Sequence, residues 1–169
     1  IGIYDIDLKR AKSFAKKFNV KKYENLEKLI SESDAIDIVT PTDTHFNIAS
    51  KCIKLNKHIF IEKPLTKTLS EAQKLIDLIN NKKIVVQVGH VERFNPAFKS
   101  VNSLITNPLF IESHRLAEFN PRGTDVSVVL DLMIHDIDII LTLIDSKIKT
   151  ISGVGVPVIS KTPDIANVR

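Results

Sequence analysis

The sequence predicts an α/β protein: a Rossmann-type parallel sheet followed by an α+β region with a mainly antiparallel sheet. Three observations carry that expectation. Strand-like and helix-like stretches alternate from Ile1 to about Gly89, which is the pattern of βαβ units. Beyond Gly89 the extended stretches lengthen and alternate in part, as in a sheet with one covered face. Chemistry-bearing residues (Asp5, Pro41-Thr42, Glu62-Lys63-Pro64) stand where strands end, the ligand-binding edge of open α/β sheets.

Taken in order, Ile1 to Tyr4 reads as a strand ending at Asp5. Asp7 then caps a helix with apolar Leu8, Ala11, Ala15 and Phe18 at helical spacing. A short strand near Val20 to Tyr23 precedes a helix from Asn25 to Ser31. Ala35 to Val39 is a strand broken by Pro41, with Thr42 or Asp43 expected to cap the following helix. His58 to Ile61 is a strand closed by Glu62-Lys63-Pro64. Ser70 opens a helix with the stripe Ala72, Leu75, Ile76 and Ile79, leading to a strand over Ile84 to Val88.

In the second part, a helix from Pro96 to about Ile105 leads to an extended segment from Leu109 to Phe119. A loop containing Pro121 and Gly123 follows, then a helix from Val126 to Ile144 and a long strand from Ile148 to Ile159. The boundary falls near residues 90–95. It separates a partial α/β domain, residues 1–92, from a partial α+β domain, residues 93–169, which the residues considered below lead us to expect as dinucleotide-binding and substrate-binding respectively.

Apolar residues make up 43% and charged residues 26% of the 169 residues, the usage of an ordinary globular protein. Every apolar run is interrupted well before the roughly 18 residues a membrane helix needs. The net charge of +4 is mild. Its lysines, such as Lys9, Lys12, Lys16 and Lys17, are spread over helix faces and are not interleaved with aromatics, so neither a nucleic-acid patch nor a membrane partner is expected. The lone Cys52 makes no internal disulfide, which favours a cytoplasmic setting.

Asp5 ends a strand where, in dinucleotide-binding units, an acidic residue accepts hydrogen bonds from the adenosine ribose. There its charge favours NAD over NADP. An ordinary strand-end aspartate is the alternative reading. The phosphate-cradling G-x-G-x-x-G is absent, since the glycines stand at 2, 89, 123, 153 and 155. The chain therefore reads as a window on a longer protein that lacks the first, central strand and folds poorly alone. Lys63 at a strand end can hydrogen-bond a substrate hydroxyl, with Pro64 restricting its backbone; a charged turn is the alternative. On the later helix Leu130, Met133, Ile134, Ile137, Leu141 and Ile144 form an apolar stripe expected to pack inward. Asp131 and His135 are four residues apart on an adjoining face. That spacing lets the carboxylate orient the ring and stabilise its protonated form, unless the pair is only a surface ion pair.

Val39-Thr40-Pro41-Thr42-x-x-His45 followed by Glu62-Lys63-Pro64 resembles the Gfo/Idh/MocA oxidoreductases, the glucose-fructose oxidoreductase and inositol dehydrogenase type, along essentially the whole chain. The resemblance implies that Thr40, Pro41, Thr42, His45 and Glu62 lie beside a bound NAD with Asp5, and that Lys63 contacts both substrate and nicotinamide. It makes Lys63, Asp131 and His135 the catalytic set, with Asp131-x-x-x-His135 matching the family's pair. The expected reaction is oxidation of a secondary hydroxyl of a sugar, cyclitol or nucleotide-sugar by hydride transfer. The runs Val88 to Pro96 and Asn120 to Asp125 are similar to members that oxidise UDP-N-acetylglucosamine at C3. Arg93, Arg115 and Arg122 border the expected cleft and suit a nucleotide-sugar's phosphates, solvated arginines being the alternative. Many relatives have a glycine pair before this helix where this chain has Asp125-Val126-Ser127-Val128-Val129, a departure that bears on the identity of the sugar. The resemblance also implies a homo-oligomer, dimer or tetramer, formed through the second domain's sheet.

Two other functions fit parts of the sequence. His135-Asp136 mimics a metal phosphohydrolase pair, though the remaining histidines sit near strands and loops. A non-catalytic binding or regulatory protein on the same fold is the other.

Overall fold

Local sequence and local structure agree closely in the first half. The computed structural model describes residues 1–118 and 126–169. Asp7, in extended backbone, accepts hydrogen bonds from the Lys9 and Arg10 amides and starts α1 (Leu8–Phe18), which Asn19 ends in left-handed geometry at φ 51. Strands β1 (Gly2–Ile3) and β2 (Lys21–Lys22) pair in parallel on either side of that helix. A Cβ on Gly2 would overlap the Tyr23 ring and the Lys21 carbonyl, so only glycine permits this approach. Asn25 caps α2 (Leu26–Glu32). β3 (Ala35–Ile38) then pairs in parallel with β4 (His58–Glu62), and β5 (Val86–Gly89) completes the order β3-β4-β5.

No ladder joins β1-β2 to β3-β4-β5 among the described residues. The strands are connected by α3 (Thr42–Lys54) and α4 (Leu69–Ile79). Two caps differ from expectation. α3 starts at Pro41, whose carbonyl accepts from the Thr44 amide and hydroxyl, so Thr42 and Asp43 lie inside its first turn. α4 is capped by Thr68, which exchanges hydrogen bonds with Glu71, and Ser70 is already helical.

The chain divides into two units. Residues 1–62 with 68–87 form the first, and residues 63–67 with 88–169 the second. The core of the first is apolar: Ile30, Ile38, Ile53 and Ile61 are at most 1% exposed, each worth about 1.5–3 kcal/mol on full burial. In α1 only Ala11 and Ala15 are buried, while Leu8 and Phe18 stay exposed and Phe18 stacks on Phe14.

The second unit contains a 3₁₀ turn at Val91–Phe94 and α5 (Pro96–Asn102), which stops short of the expected Ile105. A π-helical turn at Val129–Met133 runs into α6 (Ile134–Leu143), and β6 (Gly153–Val156) pairs antiparallel with β7 (Ile165–Val168). Three expectations change here. Residues 109–118 form no strand, and the end of that stretch falls outside the described residues. The strand expected over Ile148 to Ile159 is confined to β6, because the Asp164 carboxylate gathers the Val158, Ile159 and Ser160 amides into a loop. The apolar stripe packs only in part: Leu130, Met133, Ile134, Ile137 and Ile144 are half-buried, Leu141 is 53% exposed, and the one buried residue of α6 is Asp138. No helix among the described residues is long and apolar enough to cross a membrane.

Candidate active site

β4 ends at Glu62, and the next residue, Lys63, belongs to the second unit together with Asp131 and His135. The Lys63–Pro64 peptide bond is cis. Lys63 Nζ donates to the Asp131 carbonyl at 2.7 Å and to Asp131 Oδ1 at 2.9 Å. The sequence led to a different pairing, Asp131 with His135. The π turn accounts for the change, since its hydrogen bonds reach back five residues instead of four and alter the phase between Asp131 and the α-helical His135.

His135 is half-buried, and its Nδ1 is closed off from solvent without a hydrogen-bond partner. Burial first, then the nearby charges of Lys63 and Arg115, lower its pKa, while Glu92 and Asp136 push the other way. The expectation of a stabilised imidazolium is therefore reversed: the environment favours the neutral ring, which is the form a base needs.

Three carboxylates around His135 are each held by a cation from another segment. Lys63 holds Asp131; Arg115 grips Asp136 through Nε at 2.8 Å and Nη2 at 3.1 Å; Arg93 grips Asp138 through Nε at 2.7 Å and Nη2 at 2.5 Å. Ser113 Oγ donates to Asp136 as well. These contacts hold the Asp136 and Asp138 carboxyls below their ordinary range. Arg93 and Arg115, expected at substrate phosphates, thus have their forks occupied by carboxylates; Arg122 lies outside the described residues. Sequence reasoning missed Glu92, which accepts from Asn95 and lies 3.9 Å from Arg115, and Ser113. The legible signal was charge complementarity between an acid-rich helix and two flanking arginines. Among the described residues, no three His, Cys, Asp or Glu side chains are placed to hold one metal ion.

The residues expected at a cofactor occupy the first unit. Asp5, at the end of β1, binds the Arg10 guanidinium through both carboxylate oxygens and accepts from the Asp7 amide. Arg10 holds its pKa down, so it stays ionised. Thr40 and Pro41 are exposed in the turn between β3 and α3, and Thr44 Oγ1 donates to Thr40 Oγ1. His45 is 1% exposed, and its Nε2–H donates to the Thr40 carbonyl at 2.8 Å, so it braces that turn from inside. Thr42 is buried and Glu62 half-buried. An ionised carboxylate and an open strand-end turn fit the adenosine half of a dinucleotide. The glycine-rich phosphate loop is not among this chain's residues.

Residues 1–90 match the family model described as the oxidoreductase family, NAD-binding Rossmann fold. The chain is 35% identical over 166 residues to the UDP-N-acetylglucosamine 3-dehydrogenase of Acidithiobacillus ferrooxidans, covering 98% of this chain and 53% of that protein. It is 29% identical to the scyllo-inositol 2-dehydrogenase (NAD(+)) of Bacillus subtilis, over 86% of this chain and 46% of that protein. A solved structure of the Acidithiobacillus enzyme superposes with a TM-score of 0.91 at 34% identity, covering 99% of this chain and 56% of that one. The chain spans about half the length of the curated relatives it matches. Sheet, strand-end residues and family match together identify the chain as a member of the Gfo/Idh/MocA oxidoreductase family.

Proposed function

We propose that the protein is an NAD-dependent dehydrogenase that oxidises a secondary hydroxyl of a nucleotide-sugar, with C3 of UDP-N-acetylglucosamine as the leading substrate. The observation that carries the reading is the gathering of Lys63, Asp131 and a half-buried His135 whose surroundings favour its neutral form. NAD, when bound, supplies the hydride acceptor. His135 Nε2 takes the hydroxyl proton while Lys63 Nζ donates to the same oxygen, steadying the charge that develops there. Asp131 orients Lys63. Asp5, Thr40, Pro41, Thr42 and Glu62 would serve the dinucleotide, with His45 holding their turn. The Asp5 charge opposes a 2′-phosphate, which favours NAD over NADP, and Arg10 partly offsets it.

The test is NADH formation by the complete protein with UDP-N-acetylglucosamine, myo-inositol and scyllo-inositol, each with NAD and with NADP. Turnover fastest with the nucleotide-sugar and NAD is expected. Turnover confined to the inositols would reassign the substrate; none with any pair would defeat the reading.

A further inference from the structure

We infer that Arg93 is a positioning residue that acts on His135 through Asp138. The inference rests on reading His135 as the base. Asp138 lies one turn beyond His135, three residues on, so the two side chains project from neighbouring parts of one helix face. It is 7% exposed and takes the Arg93 fork through both oxygens. His90 is the remaining neighbour: its Nδ1 is buried without a hydrogen-bond partner and stands 3.7 Å from Asp138 Oδ1, too far for one.

Helices are usually held by buried apolar side chains, yet α6 buries none of its own among the described residues. Its apolar side chains are at most half-buried, and the directional contact between α6 and the turn at Val91–Phe94 is the carboxylate–guanidinium fork. A fork sets angle as well as distance. It fixes the rotation of α6 about its axis, and hence the direction of the His135 ring. The fork takes the Nε–Nη2 edge of the guanidinium for Asp138.

The experiment compares Arg93→Ala, Asp138→Ala and the double variant in the complete protein, with UDP-N-acetylglucosamine and NAD. Each single variant is expected to lower kcat by roughly 10²-fold, the cost of a misplaced reacting group, with KM near its wild-type value. The double variant is expected to be no worse than either, as for two residues acting as one unit, and added guanidinium to restore Arg93→Ala. A raised KM with kcat retained in Arg93→Ala, or wild-type turnover in Asp138→Ala, would overturn the inference. Arg93→Lys keeps the charge and loses the fork. It supplies a readout independent of turnover: the carbon-13 ε1 resonance of His135 in labelled protein. If those variants fail to fold, or the wild type reduces no NAD with any sugar so that the functional reading itself fails, this resonance decides. Displacement supports the clamp, and an unchanged resonance overturns it.

Discussion

In the unit formed by residues 1–62 and 68–87, Ile30, Ile38, Ile53, Ile61 and Leu75 are sealed from solvent. In the unit formed by residues 63–67 and 88–169, no Ile, Leu, Val, Phe or Met side chain is buried among the described residues, and the buried charged group is Asp138. The first unit is organised by removal of apolar area from water, which is non-directional and tolerant of local detail. The second is organised around His135 by three carboxylate–cation pairs, which are directional and depend on both partners being present. A parallel sheet needs a dry interior to cover both faces, whereas a helix proposed to carry a base needs that base set at one angle. The difference therefore follows the work each unit is proposed to do.

The largest expected effect separates the two chemistries directly. Ile53→Ala removes a side chain that is 0% exposed and is expected to cost the complete protein about 2–5 kcal/mol. Leu141→Ala, at 53% exposure on α6, is expected to cost less than about 1 kcal/mol. Denaturant midpoints at constant slope check both. Equal losses would mean that Leu141 is packed as tightly as Ile53.

A smaller effect sharpens the electrostatic side. His135 must be neutral to accept a proton, so the rate should fall as pH drops through its pKa, which lies below the ordinary value of about 6.5. Arg115→Gln removes a positive neighbour and should move that acid limb to higher pH. Glu92→Gln removes a negative one and should move it lower. Rate–pH profiles of the two variants would place the limb elsewhere if both left it unmoved.

How much of this could be read in the sequence follows the same division. Asp7 caps its helix as read, the helix expected from Asn25 begins there, and the alternation that ends in Glu62-Lys63-Pro64 is a parallel sheet, because these signals act within a few residues. Thr68 and Glu71 also carry a local signature, the capping box, but Ser70 competes with it in the same stretch. The site's pairs were hidden because their partners lie far apart: 68 residues between Lys63 and Asp131, 45 between Arg93 and Asp138. Periodicity also assumes one helical pitch. The π turn at Val129–Met133 breaks that assumption where Asp131 and His135 were expected to meet.

The measurement that bears most directly on the central claim is turnover of His135→Ala in the complete protein, with NAD affinity measured on the same preparation. The expected result is a loss of kcat by roughly 10²-fold or more, the scale of a missing acid–base group, with NAD binding nearly unchanged. Wild-type turnover in that variant would remove His135 from the chemistry and with it the account of the site.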